Sequence, residues 1–237
     1  MTAPPDIYDR VVATPEWAAD LGALNRTLID SLQDAGLPAQ FGGSPFYRHM
    51  QNDSILDGKF TTRDAVKRRR LCEIAQLGRT LFEIGVNGGH GILLQKHANP
   101  DLKCTGIDLC QSVGEGNPRA DIYCPVAMHW LTARFPGDMD FLIGSSANLL
   151  PDYAARHQGS RIDLLRIDGA RSLYYSDFMA LKPLLHDGSL IVFDDPRWSS
   201  TRTAVTRLMA EGLLTPDPRF SDPDHLFISD PVMRLAR

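Results

Sequence analysis

The sequence predicts an α/β fold, doubly wound around a mostly parallel sheet, and three observations carry the prediction. Short apolar runs of buried-strand length recur at 80–84, 103–107, 139–143, 162–167 and 189–193, separated by helix-length patterns. The runs are continuous rather than alternating, as strands covered on both faces are. At 237 residues and 43% hydrophobic, the chain can bury one full core of this kind.

The elements follow in order. Residues 1–79 read as a helical cover. Within it, Trp17, Leu21, Leu24, Leu28 and Leu32 recur at helical spacing over 15–35, and Gly36 follows as a C-cap. A loop rich in Gly and aromatics, with Phe41, Phe46 and Tyr47, comes next; Thr61 or Thr62 then caps a helix expected to run to residue 78. Lys67, Arg68, Arg69 and Arg70 lie on that helix, and the expectation is a solvated face paired with Asp64 and Glu73 rather than a nucleic-acid patch. Residues 80–237 form the α/β domain. Its tail carries Pro216, Pro218, Pro223 and Pro231 and a short run at 225–229, read as a closing antiparallel hairpin. Five strands and a hairpin make a seven-stranded, Rossmann-like sheet.

Composition narrows the partners. A net charge of −4 gives no general drive toward nucleic acid or an anionic membrane. No run approaches the ~20 apolar residues of a membrane span, and the first residues show no basic start or apolar stretch of a signal peptide. Cys72, Cys104, Cys110 and Cys124 have no Cys-x-x-Cys spacing, against both a zinc knuckle and a disulfide framework. The expectation is a cytoplasmic protein with reduced thiols, acting on a small molecule; a homodimer is compatible with it.

Ligands of open α/β sheets bind outside the carboxyl ends of the strands, where strand order reverses. Polar residues fall at each such end: Glu83 and Gly85, then Asp108, Ser145 with Ser146, Asp168, and Asp194 with Asp195. The turn from Gly85 through Asn87, Gly88 and Gly89 to Gly91 lacks the third glycine of a dinucleotide fingerprint. Glu83 would repel a pyrophosphate but favour a cationic ligand. S-adenosylmethionine carries an amino group and a sulfonium and no phosphate, and Asp108 can accept from both ribose hydroxyls. Carboxylates on adjacent strands stand about 4.8 Å apart, close enough for one divalent ion to bridge them.

With these motifs the segment 80–212 resembles class I S-adenosylmethionine-dependent methyltransferases, in the metal-dependent small-molecule O-methyltransferase branch of catechol and macrocin type. It rests on Glu83-Ile84-Gly85-Val86-Asn87-Gly88-Gly89, Gly106-Ile107-Asp108, Gly144-Ser145-Ser146, Ile167-Asp168-Gly169-Ala170 and the run ending in Asp194-Asp195. The resemblance implies a methyl transfer to a hydroxyl of a catechol, vicinal diol or sugar, as in natural-product biosynthesis. It places Ser146 and Ala147 beside the adenine, the glycine turn beside the methionine moiety, and Mg²⁺ or Mn²⁺ on Asp168, Asp194 and Asp195.

The sequence departs from its relatives at Arg171, where catechol-type enzymes have a lysine and many others a histidine. Arginine stays protonated, so Arg171 is expected to stabilise an oxyanion or hold a substrate carboxylate or phosphate. The catalytic candidates are therefore Asp168, Arg171 and His49, with His90 also of interest. Phe41, Phe46, Tyr47, Phe60 and Trp198 are candidate substrate walls, though core packing is the favoured reading for each. Two other readings stay open: a methyltransferase-like oxidoreductase that hydroxylates a small molecule, and a member of the fold without turnover.

Overall fold

The computed structural model describes residues 6–42, 44–47, 55, 59–112, 119–221, 226–227 and 229–236. Helices α1 (Ile7–Val12), α2 (Pro15–Asp34) and α3 (Ala65–Ala75) precede the sheet. The alternation that follows is β1 (Thr80–Ile84), α4 (His90–Ala98), β2 (Lys103–Asp108), α5 (Ala120–Arg134), β3 (Met139–Ile143), α6 (Ser146–Arg156) and β4 (Ile162–Ile167). It closes with α7 (Tyr174–Leu181), β5 (Leu185–Phe193), α8 (Ser199–Ala210), β6 (Leu214–Pro216) and β7 (Val232–Leu235).

The seven strands lie in the order β3-β2-β1-β4-β5-β7-β6, with β7 antiparallel to both neighbours. The expected doubly wound sheet and closing hairpin are therefore present. The run at 225–229 is not the hairpin's strand: it lies partly outside the described residues, and Leu226 and Phe227 form a turn. Order reverses between β1 and β4, which opens the crevice at their carboxyl ends.

Successive strand residues feed opposite layers, which is why the runs read as continuously apolar. Leu81 and Leu164 pack toward the cover, α4 and α5, while Phe82 and Leu165 pack toward α6, α7 and α8. Helix α2 starts where Thr14 Oγ1 accepts from the Trp17 amide at 3.2 Å, and it ends before Gly36 at φ +71°. It buries Leu21, Leu24, Leu28 and Leu32. At roughly 1.5–3 kcal/mol per buried leucine, this stripe outweighs any surface ion pair in docking the helix.

Helix α3 differs from expectation at both ends. It starts at Ala65, not at a threonine cap: Thr61 Oγ1 accepts from the Arg63 amide at 3.3 Å in a preceding turn, and Asp64 makes no side-chain cap bond. It stops at Ala75 because Asn99 Nδ2 takes up the carbonyls of Ala75 at 2.7 Å and Gly78 at 2.8 Å. The basic run on α3 is not a solvated face. Arg68 is buried against the Tyr8 hydroxyl and the carbonyls of Pro45 and Thr61, Arg69 pairs with Asp6 and Asp9, Arg70 holds Ser229 and the Asp230 carbonyl, and Lys67 reaches Asp194.

Candidate functional site

The strand ends around the switch point build one narrow crevice, walled by Glu83, the turn from Gly85 to Gly91, Arg166, Asp168 and Pro45. Gly85 sits at φ +93°, and a Cβ there would stand 2.3 Å from the Asp168 carbonyl oxygen. Only glycine lets β1 and β4 close up at this point. Asn87, itself at φ +51°, donates its backbone N–H to Asp108 Oδ2 at 2.8 Å and its side-chain amide to the Gly42 carbonyl at 2.8 Å. Cys110 N–H donates to Asp108 Oδ1 at 2.8 Å. Gly89, at φ +76°, precedes α4; Ser145 precedes α6 and Ser146 opens it. The structure thus gathers Gly85, Asn87, Gly89, Asp108, Ser145 and Ser146 at the ends of β1, β2 and β3.

Glu83 is different from expectation. It is 1% exposed and accepts from Arg166 Nη1 at 2.6 Å and Gln95 Nε2 at 3.3 Å. Its charge is already met from within, so it does not present a free carboxylate to a cationic ligand. Glu83 and Arg166 are register partners on β1 and β4, and Gly91 leaves room for the guanidinium: a Cβ there would lie 2.8 Å from Arg166 Nη1. The other arm of Arg166 donates to Asp168 Oδ2 at 2.5 Å and to Asp194 Oδ2 at 2.6 Å. Lys67 adds a second charged donor to the same Asp194 oxygen, while Asp194 Oδ1 takes the Asp195 N–H at 2.7 Å.

Burial raises the Asp168 carboxyl well above the usual range, and the adjacent Asp194 charge adds to this against the pull of Arg166 and Lys67. Burial acts on Asp194 in the same sense, but Lys67 and Arg166 outweigh it and hold that carboxyl well below. Burial would deprotonate Lys67, yet Asp194 and Asp168 reverse this and keep it charged. Of the two acids Asp168 is the one that takes up a proton, and it is also the more open, with 23% of its side chain exposed against 4% for Asp194.

These residues do not fit the expected Mg²⁺ cage. Asp168 and Asp194 are bound to Arg166, and Asp195 is turned away at φ +58° with Oδ2 taken by Arg171 Nε at 2.8 Å and by Arg171 Nη2. The repulsion that called for an ion is relieved by side chains instead. Among the described residues, the three ligand-type groups that come within 4.8 Å of one another are Asp108, Cys110 and Cys124. The Cys110–Cys124 hydrogen bond and burial push the Cys124 thiol up and keep it from ionising, so this group is not poised as a metal centre either. All four cysteines are free.

Arg171 is fixed between Asp195 and the ring of Trp198, 4.4 Å from the ring centroid. Trp198 is 55% exposed, beside the site; Phe41, Phe46 and Tyr47 are core residues. His49 lies outside the described residues. His90 is buried and stacked on Phe41, with Nε2 2.9 Å from Asn25 Oδ1, and burial pushes its pKa down to about 3. It stays neutral and ties the cover to the glycine turn. Because that pKa lies below the unfolded value of roughly 6.5, unfolding takes up a proton as pH falls below it, and stability is lost. The expected loss from His90 alone is about 2 kcal/mol between pH 7 and pH 5. Urea unfolding at the two pH values should show a steeper loss for the native protein than for His90→Gln; equal slopes would remove His90 as the cause.

Residues 82–196 match the family described as a methyltransferase domain. That stretch, just under half of the chain, runs from β1 to β5 and holds the strand ends that form the crevice. Solved structures share its fold over nearly the whole length. An O-methyltransferase from Bacillus cereus in complex with SAH is 13% identical, with 91% of each chain covered and a TM-score of 0.56. The O-methyltransferase TomG from Streptomyces achromogenes, involved in tomaymycin synthesis and solved with SAM, is 16% identical, covering 90% of this chain and 89% of its own, with a TM-score of 0.54. The calicheamicin methyltransferase CalS11 is 14% identical, covering 99% and 98%, with a TM-score of 0.55. No curated protein matches the chain. The crevice at the ends of β1, β2 and β4 lies at the strand-order switch point, where open α/β sheets bind ligands, and no helix of the described residues is long and apolar enough to cross a membrane.

Proposed function

We propose that the protein is an S-adenosylmethionine-dependent O-methyltransferase acting on a hydroxyl of a small molecule such as a catechol, vicinal diol or sugar. The observation that carries the cofactor reading is Asp108. Its two oxygens each accept one backbone amide, and an ionised carboxylate has about four acceptor sites, so one lone pair per oxygen is left for a pair of vicinal ribose hydroxyls. Gly85, Asn87 and Gly89 form the cradle for the methionine end, and Ser145 and Ser146 stand where an adenine would lie. When bound, S-adenosylmethionine supplies an electrophilic methyl group.

The chain's own residues do the rest. Asp168 faces the crevice and accepts the proton of the acceptor hydroxyl at its carboxylate. Arg166 holds that carboxylate in place. Arg171, held over Trp198, offers its remaining N–H groups to an anionic substituent of the acceptor, and the 1–79 segment covers the site. The hydroxyl reading draws on Asp168, since a carboxylate base matches an acidic hydroxyl, and on the O-methyltransferases that share the fold.

Calorimetry tests the cofactor half. Asp108→Ala should weaken S-adenosylmethionine and its demethylated product by more than about 1.5–3 kcal/mol, a loss of tenfold or more in Kd. Tighter binding of NAD than of either ligand, or unchanged affinity in Asp108→Ala, would overturn the assignment.

A further inference from the structure

Lys67 belongs to helix α3 of the N-terminal segment, yet its ammonium ends on Asp194, 127 positions away in sequence. It converges there with Arg166, so the Asp194 oxygen that would face a bridging ion holds two charged donors. The counts are close to balanced: Glu83, Asp168 and Asp194 stand against Arg166 and Lys67. Arg166 is rooted in the central strand β4 and only 5% of its side chain is exposed, whereas Lys67 keeps 21% and arrives from the cover. Of the two cations, Lys67 is the one whose removal would leave a place for a solvated ion beside Asp194.

We infer that Lys67 is a built-in counter-ion: it occupies the position that the sequence resemblance assigns to Mg²⁺, makes methyl transfer independent of divalent metal, and couples the Asp168–Asp194 pair to docking of the cover. Lys67 acts through those carboxylates and is a positioning residue. Mg²⁺ demands near-octahedral oxygen ligands, and here it would have to displace an ammonium from the carboxylate it needs while remaining beside Arg166. Asp194 Oδ2 already holds two charged donors, and Oδ1 takes the Asp195 amide, so an ion could reach no more than one lone pair of Oδ1 without displacing a donor. The inference rests on the proposed function only for the word transfer; the ion competition itself belongs to the side chains.

The test is a calorimetric titration with MgCl₂ of the full chain and of Lys67→Met, which keeps the stem and removes the charge, with S-adenosylhomocysteine titrated into the same samples. The native protein is expected to show no saturable Mg²⁺ binding in the millimolar range and no loss of methyl transfer in EDTA. Lys67→Met should bind Mg²⁺ at least tenfold more tightly and transfer methyl groups slowly, with recovery on adding MgCl₂ but not NaCl of equal ionic strength. Lys67→Arg, which preserves the charge, should remain free of ion. Saturable Mg²⁺ binding to the native protein that disappears in Asp194→Asn would overturn the inference, as would a folded Lys67→Met protein that binds Mg²⁺ no better than the native one. Should Lys67→Met fail to fold, Lys67→Gln and the native titration decide by the same criteria. Failure of S-adenosylhomocysteine to bind counts against the proposed function and leaves the Mg²⁺ comparison standing.

Discussion

Arg166→Met is expected to cost about 3–5 kcal/mol of stability, because it removes one partner of a buried charge network and leaves the other charges in place. That is a large share of the ~5–15 kcal/mol that holds an ordinary domain together. Among the described residues, Glu83, 1% exposed, would keep Gln95 as its side-chain donor, and Asp194 would keep Lys67 as its paired cation. The sign of the pH dependence follows. Burial already raises the Glu83 carboxyl against the pull of Arg166, and without the guanidinium it rises further. A group with a raised folded pKa binds more protons folded than unfolded, so the deficit of the variant is greatest at high pH and shrinks as pH falls toward the ordinary carboxylate range. Denaturant unfolding at pH 8 and pH 6 measures it. The Glu83→Gln/Arg166→Met double variant should recover part of the loss, a coupling that a double-mutant cycle isolates. A cost below about 1 kcal/mol in Arg166→Met would mean that the network is no more than a surface arrangement.

The pattern that the sequence made legible is the one that depends on neighbours along the chain. Strand runs stood out because both faces of each central strand are covered, and Gly36 stood out because a helix end needs a left-handed residue. What escaped is charge pairing between segments far apart in sequence. Lys67, Arg68, Arg69 and Arg70 looked solvated when only residues three and four positions away were considered, whereas their partners include Tyr8, Asp6, Ser229 and Asp194. A signal for the network was nevertheless present. Glu83 and Arg166 are opposite charges set among the apolar residues of two strands, and a buried charge needs a partner; adjacent strands in register supply it. The same pairing explains the metal expectation. Three aspartates at two strand ends do call for a cation, and the sequence alone could not show that the cations were already part of the chain.

The final expectation concerns Asp168 as the base. Asp168→Asn is nearly isosteric and leaves Arg166 with Glu83 and Asp194 as partners, so the variant should fold. Losing a positioned proton acceptor should nevertheless lower kcat by about 10²–10⁴-fold. The pH profile separates this from a merely structural effect. Burial and the neighbouring Asp194 charge raise the Asp168 carboxyl, so the acid limb of the native kcat profile should sit above the ~3.9 of a free aspartate, with activity present above it and lost as pH falls through it. Because the two acids interact, the midpoint belongs to the pair rather than to Asp168 alone. Holding Asp194 ionised through Lys67 and Arg166 keeps the proton on Asp168 rather than on its neighbour, which gives the limb one inflection instead of two. In Asp168→Asn the limb should vanish and the residual rate become flat across the same range. A variant that keeps both the limb and most of the rate would move the base elsewhere, and His49 would be the first side chain to replace.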